Sequence, residues 1–263
     1  MDLLITPSLV ILPNTEQPTP TSQYPTPSSR SKTILVTASE QNSQLIQHFS
    51  QFVSDHKKEF IGKVLSHRTR YVTMVLEDIY QSQNASAVIR TCECLGLQEI
   101  HVIETSSSWT TNKQVLKGSN KWLDIIRYRE KNANNSEDCF NRLRKEGYQI
   151  AVTDPSPDGI AIENVALEKP LAIVMGNERH GSSSYAMGHA DMKIHIPMAG
   201  FTESLNISVS AAICLNVLLS RLRKSSLPWA LKEEEKEVLR LLWYKKVVRR
   251  SELLEREFLR SIE

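Results

Sequence analysis

Residues 71–104 read YVTMVLEDIYQSQNASAVIRTCECLGLQEIHVIE. YVTMVLED (71–78) is apolar and β-branched and ends in acids, which predicts a strand. NASAVIRTCECLG (84–96) begins at Asn84, a residue type that caps helix N-termini, and stops at Gly96, a residue type that ends helices. EIHVIE (99–104) predicts a second strand. A strand, a helix and a strand within so short a span form a βαβ unit, whose two strands run parallel.

The alternation continues downstream. SEDCFNRLRKEG (136–147) predicts a helix, with Ser136 as its cap and Gly147 as its stop. YQIAVTD (148–154), LAIVMG (171–176) and MKIHIPM (192–198) predict strands, and NISVSAAICLNVLLSRLRK (206–224) a long helix. The expected fold class is α/β: a mostly parallel sheet with helices on both faces. Upstream, Leu45, Ile46, Phe49 and Phe52 recur at helical spacing. Residues 13–32, rich in Pro, Thr and Ser, bury too little to offset their ordering entropy. The expected organisation is a disordered tail over 1–40, a helical lead-in over 41–70, the α/β domain over 71–224 and a helical extension over 225–263, past the helix-breaking Pro228.

The chain has 263 residues, 40% hydrophobic and 24% charged, with a net charge of +2. That suits one large domain with additions and excludes a global basic field, so any nucleic-acid contact must be a local patch. Cys92, Cys94, Cys139 and Cys214 make no metal or disulfide spacing, so reduced thiols and no metal are expected. No apolar run approaches a membrane span. Asp2 stands where a secretory signal carries positive charge. The expected location is the cytoplasm.

Parallel sheets bind ligands beyond the carboxyl ends of their strands, and three such ends carry unusual polar groups. Asn84, Ala87 and Arg90 are three apart and lie along one helix face; a plain cap explains Asn84 equally well, and on spacing alone a solvated surface charge is the favoured reading of Arg90. VMGNERHG (174–181) brackets Asn177, Glu178, Arg179 and His180 between Gly176 and Gly181, which permit close backbone approach to a ligand. It is neither a Walker loop nor G-x-G-x-x-G, and a tight turn with a solvated acid is the plainer alternative. In IPMAGFTESLNISVSAAICL (196–215), Asn206 or Ser204 caps the following helix, and Ser208, Ala211 and Ala212 allow it to pack closely. Capping and packing leave Glu203 and Ser204 unaccounted for.

Together these stretches resemble the SpoU branch of the SPOUT superfamily, the RNA ribose 2'-O-methyltransferases. Its N-x-x-A-x-x-R motif is matched by Asn84, Ala87 and Arg90, and its G-x-E-x-x-G motif by Gly176, Glu178 and Gly181. The I-P-M-x-G loop followed by S-L-N-x-S is matched by Ile196, Pro197, Met198, Gly200, Ser204, Leu205, Asn206 and Ser208. The resemblance covers about residues 70–224. HRTRYVTMVLEDIYQSQNASAVIRTCECLG (67–96) and LLWYKKVVRR (241–250) are similar to the group that methylates a D-loop guanosine of tRNA. An enzyme acting on rRNA or on another tRNA position, or an inactive RNA-binding homologue, is the alternative.

The resemblance implies a deep C-terminal trefoil knot, an exception to the rule against knots. It also implies an S-adenosyl-L-methionine pocket in the knotted loops, and a homodimer. By family position, Gly176, Ile196 and Leu205 contact the cofactor, joined by Thr153. Arg90 is expected to stabilise the developing alkoxide and hold a phosphate, since a guanidinium does not deprotonate to serve as a base. Asn84 would hold Arg90 or the ribose, Glu178 would orient partners, and Ser204 and Asn206 would fix the cofactor's methionine end and the ribose. Three clusters are expected to bind RNA: His67, Arg68 and Arg70; Arg221, Arg223 and Lys224; and Lys245, Lys246, Arg249 and Arg250, the last on one helix face. Each alone is a common solvated face; together they flank the motifs.

Overall fold

The computed structural model describes residues 29–110 and 112–262. Residues 1–28 of the expected tail lie outside the described residues. Asn42–Glu263 form one compact unit, and Met1–Gln41 divides from it. Of the latter stretch the backbone is described from Ser29, where helix α1 (Ser29–Ser50) begins, ahead of the periodicity that starts near residue 41. No proline follows Pro27 there to block a helix.

The sheet has seven strands: β1 (Val72–Glu77), β2 (Glu99–Ile103), β3 (Asp124–Tyr128), β4 (Gln149–Thr153), β5 (Ile160–Ala161), β6 (Leu171–Met175) and β7 (Met192–His195). Their order is β3-β2-β1-β6-β4-β7-β5, and every pairing is parallel. β1 and β6 are buried on both faces, which is why VTMVLE and LAIVM are mostly apolar rather than alternating. Their register pairs Val72 with Leu171 and Leu76 with Met175, so the two strands end level.

Helices cover both faces. Helix α3 (Ser82–Leu95) packs on helix α7 (Ile207–Lys224), and their Val88, Ile89, Cys214 and Leu218 join β1 and β6 residues in one core. On the opposite face, α5 (Asn135–Lys145) and α6 (Ser184–His189) bury Phe140, Leu143 and Ala186 against Val75, Val152 and Val174. A separate cluster joins the lead-in to the extension. Leu45, Phe49, Ile61 and Leu65, from α1 and α2 (Asp55–Ser66), pack with Leu239, Leu241, Trp243 and Tyr244 of α8 (Glu233–Val247). α9 (Ser251–Ile262) follows.

Two helix starts differ from expectation. α3 begins at Ser82, so Asn84 is inside the first turn and Gln81 is at the cap position without a side-chain cap bond. α5 is capped by Asn134, whose side chain accepts from the Glu137 N–H at 3.2 Å; Ser136 instead donates to buried Glu77 at 2.7 Å. Asn206 does cap α7, accepting from the Ser208 N–H at 2.8 Å.

Candidate active site

The carboxyl ends of β4, β6 and β7 and the start of α7 enclose a cleft of about 540 Å³. Its wall on the β6 side is the turn after Met175. Asn177 and Gly181 exchange backbone hydrogen bonds in both directions, at 2.9 and 2.8 Å. The Asn177 carbonyl oxygen of the side chain accepts from the Arg179 N–H at 2.8 Å, and its amide donates to the Asp78 backbone oxygen at 2.6 Å. The turn folds back so tightly that a Cβ on Gly176 would lie 2.3 Å from Ser182 N and 2.4 Å from Gly181 C. Gly181 takes φ 71°, the left-handed region that glycine enters without strain.

This turn delivers the Glu178 carboxylate to the N-terminus of α3. It accepts from the Tyr80 N–H at 2.7 Å, the Gln81 N–H at 3.3 Å and the Asn84 side-chain amide at 2.8 Å. Backbone donors and the positive end of the helix favour an anion there, so Glu178 caps α3 from another segment. Asn84 in turn accepts from the Asn206 amide at 3.3 Å, and Asn206 accepts from the Ser208 hydroxyl at 2.6 Å. The three sequence motifs thus meet in one hydrogen-bonded row, Glu178–Asn84–Asn206–Ser208.

Neighbouring acids hold the frame. Glu77 is buried and accepts from the Ser183 N–H at 2.9 Å, the Ser183 hydroxyl at 2.7 Å and Ser136, tying α5 and α6 to β1. Asp78, at φ 50°, accepts the backbone N–H groups of Thr105, Ser106 and Ser107 at 2.6, 2.9 and 3.1 Å.

Thr153, Gly176, Ile196 and Leu205 all line the cleft, as do Asn84, Glu178, Ser204 and Asn206. Thr153 donates its hydroxyl to the Val174 carbonyl at 2.9 Å. Arg90 is not among the lining residues; it is exposed on α3 and donates to the Val115 carbonyl, in α4 (Lys113–Leu116), at 3.3 Å. Sequence reasoning missed Gln81, Asp154, Ser182 and His195, which also line the cleft. Asp154 directly follows β4 and His195 ends β7, so the strand-end rule that found Glu178 also points to them.

The cleft suits a nucleoside-sized ligand with polar and apolar parts. Met175, Ile194 and Ile207 give apolar contact, and Ser182 Oγ and His195 Nδ1 are buried without a partner among the described residues. Cys214 also lines it, and burial pushes its thiol up to about 12, which favours the neutral form. Among the described residues no cluster of His, Cys, Asp and Glu could hold a metal ion, and no helix is long and apolar enough to cross a membrane.

Several residues expected to contact RNA have partners within the protein. Arg68 is buried: it pairs with Glu93 at 2.6 Å and lies 5.3 Å from the Trp243 ring. Arg70 is held by Glu99, Asp124 and Glu235. Arg221 donates to the Val165 carbonyl at 2.7 Å, Arg223 to the Leu95 carbonyl at 2.6 Å, and Lys245 pairs with Glu255. α8 ends at Val247, so Arg249 and Arg250 are not on the helix face with Lys245 and Lys246 but in the turn beyond it. Lys246 donates to the Lys121 carbonyl; it remains exposed, as do Arg249 and Arg250.

The family model described as the SpoU rRNA Methylase family matches residues 71–216. A protein of Borreliella burgdorferi named tRNA (guanosine(18)-2'-O)-methyltransferase is 46% identical over 206 residues, covering 78% of this chain and 92% of its own. The A. aeolicus TrmH/SpoU tRNA modifying enzyme superposes with a TM-score of 0.64 at 28% identity, over 74% of this chain and 98% of its own. The SpoU methyltransferase AviRb of Streptomyces viridochromogenes, crystallised with the cofactor AdoMet, shares the fold at a TM-score of 0.52 and 20% identity, over 62% of each chain.

Proposed function

Since the chain belongs to the SpoU methylase family, we propose that it methylates the ribose 2'-hydroxyl of a tRNA guanosine, position 18 of the D-loop, using S-adenosyl-L-methionine. The observation that carries this is the row Glu178–Asn84–Asn206, which brings three distant segments to the rim of one cleft at the carboxyl edge of a parallel sheet.

Bound in that cleft, the cofactor supplies a methyl group already activated by a sulfonium, so the protein's task is mainly positioning. Thr153, Gly176, Ile196 and Leu205 would hold it, and Ser182 Oγ and His195 Nδ1 would offer it polar atoms that have no partner among the described residues. Ser204 and Asn206 stand at the edge where the ribose enters. Glu178 holds Asn84 so that its side-chain oxygen faces Asn206. Arg90, exposed on α3 and outside the cleft, holds an RNA phosphate there rather than the developing alkoxide. Lys246, Arg249 and Arg250 extend the phosphate contact, with affinity falling steeply with salt.

A homodimer belongs to the same reading. Met198, Leu205 and Val209 are 39%, 38% and 45% exposed, and Phe201 is fully exposed, an apolar surface on the knot loop and α7 that a second copy would cover. The knot belongs to the same reading: β6 lies between β1 and β4, and α7 packs against α3.

The test is methyl transfer from labelled S-adenosyl-L-methionine to unmodified tRNA and to rRNA, with the product mapped by digestion that stops at ribose methylation. Label at guanosine 18 is the expected result, and Arg90→Ala should weaken it by raising KM for tRNA while leaving cofactor binding intact. Label in rRNA alone overturns the substrate assignment, and full activity of the Arg90 variant overturns its role.

A further inference from the structure

Tyr80 and Arg179 form an exposed stack beside the cleft that neither the core nor the hydrogen-bonded row requires. The Arg179 guanidinium carbon lies 3.7 Å from the centre of the Tyr80 ring. Tyr80 is 50% exposed and belongs to none of the core clusters; Arg179 is exposed as well. The Glu178 carboxylate adjoins Arg179 in sequence, yet it binds Tyr80, Gln81 and Asn84 instead. Among the described residues the Arg179 guanidinium has no carboxylate partner, so its edge donors are free.

The backbones under both side chains are locked to one another. The Asn177 side chain bonds the Asp78 carbonyl, Glu178 takes the N–H groups of Tyr80 and Gln81, and Arg179 N–H is held by Asn177. The stack is therefore preorganised, which lowers the ordering cost of a ligand that lies on it. Its position is specific. Gln81, next to Tyr80, and Glu178, next to Arg179, both line the cleft, so a group on the stack has its neighbour at the cleft mouth.

We propose that the Tyr80–Arg179 stack is the platform on which the base of the target nucleotide rests while its ribose faces the cleft. RNA bases displayed out of a helix are recognised by stacking on aromatic rings and guanidinium planes, and a guanidinium over the ring adds its charge to that face. The inference rests on the methyl-transfer reading and adds the groups that hold the base.

The test uses the full chain and unmodified tRNA, alongside a tRNA carrying 2-aminopurine riboside at the target position. Removing the ring in Tyr80→Ala should lower kcat/KM for tRNA by about tenfold or more, the scale of one lost base–aromatic stack. It should also abolish the fluorescence quenching of the bound 2-aminopurine, while calorimetric binding of S-adenosyl-L-methionine stays unchanged. Tyr80→Phe keeps the ring and should restore both signals; Arg179→Ala should lose part of both. A Tyr80→Ala enzyme within twofold of wild type with quenching intact overturns the proposal, as does a Tyr80→Phe variant as defective as Tyr80→Ala. If the wild type methylates no tRNA, the methyl-transfer reading fails by itself, and the quenching comparison between Tyr80→Ala and Tyr80→Phe still decides the platform.

Discussion

Replacing Glu178 with Gln removes one charge and exchanges one oxygen for an amide nitrogen at nearly constant shape. The carboxylate now accepts from Tyr80 N–H on one oxygen, and from Gln81 N–H and the Asn84 amide on the other. A glutamine has a single oxygen, so one orientation sets its NH2 against Tyr80 N–H and the other sets it against Gln81 and Asn84. Net hydrogen bonds contribute about 0.5–1.5 kcal/mol each, more to a charged acceptor, and losing a helix cap costs about 1 kcal/mol. Glu178 is exposed, so water replaces part of what is lost, and the expected cost is about 1–2 kcal/mol. For a chain of this size that is a fall in Tm of about 2–4 °C per kcal/mol, read by calorimetry. Activity should fall further than stability, more than tenfold in kcat/KM for tRNA, because Asn84 is freed from the position that meets Asn206. Wild-type Tm and wild-type turnover together in Glu178→Gln would refute both the capping role and the row.

Gly176→Ala places a Cβ within 2.4 Å of the Ser182 and Gly181 backbone, so the turn must open; calorimetry should show cofactor binding weakened at least tenfold, with a lowered Tm. Arg68→Ala should cost about 3 kcal/mol of stability, since it leaves Glu93 without its partner and a gap beneath Trp243, whereas Arg249→Ala with Arg250→Ala should leave Tm unchanged and reduce the salt slope of tRNA binding. Burial raises the Glu99 and Glu104 carboxyls, but the His101 hydrogen bond and Arg70 charge at the first, and Arg127 with the Trp109 N–H at the second, hold both below the usual range. A lowered carboxyl contributes stability above its unfolded-state pKa, ~4.3 for Glu, and loses it as pH falls through the folded value. Tm should therefore drop below about pH 4.3, and Glu104→Gln should be less stable at pH 7 with a shallower acid dependence.

The sheet's centre was legible because strands buried on both faces must be mostly apolar. β3 was not: Asp124–Tyr128 is half-buried and carries charges at Asp124 and Arg127, so it lacks both an unbroken run and a clean alternation. β5, two residues long, offers no pattern at all. At the site, polar residues at strand ends marked Asn84, Glu178 and Asn206. What Glu178 does there was hidden, because the helix it caps starts nearly a hundred residues earlier in the chain. Asn84 has the residue type of a cap, and the true cap came from elsewhere. Arg68 and Arg70 show the complementary failure: sequence displays a charge but not its burial, and acids 25 to 165 residues away claim both.

The place of β6 has a bearing on how the molecule comes into being. Both its neighbours precede it in the chain, β4 closely and β1 by a long stretch, and the sheet has an open slot at its middle until residues 171–175 arrive. Pairing across such sequence distances is slow, since loop closure precedes any gain from contact. The turn bearing Glu178 follows that strand directly, and the loop before α7 comes later still. A nascent or half-assembled chain therefore has no cleft to hold a methyl donor, and the appearance of cofactor binding during refolding would report closure of the slot, making the enzyme its own probe of completed folding.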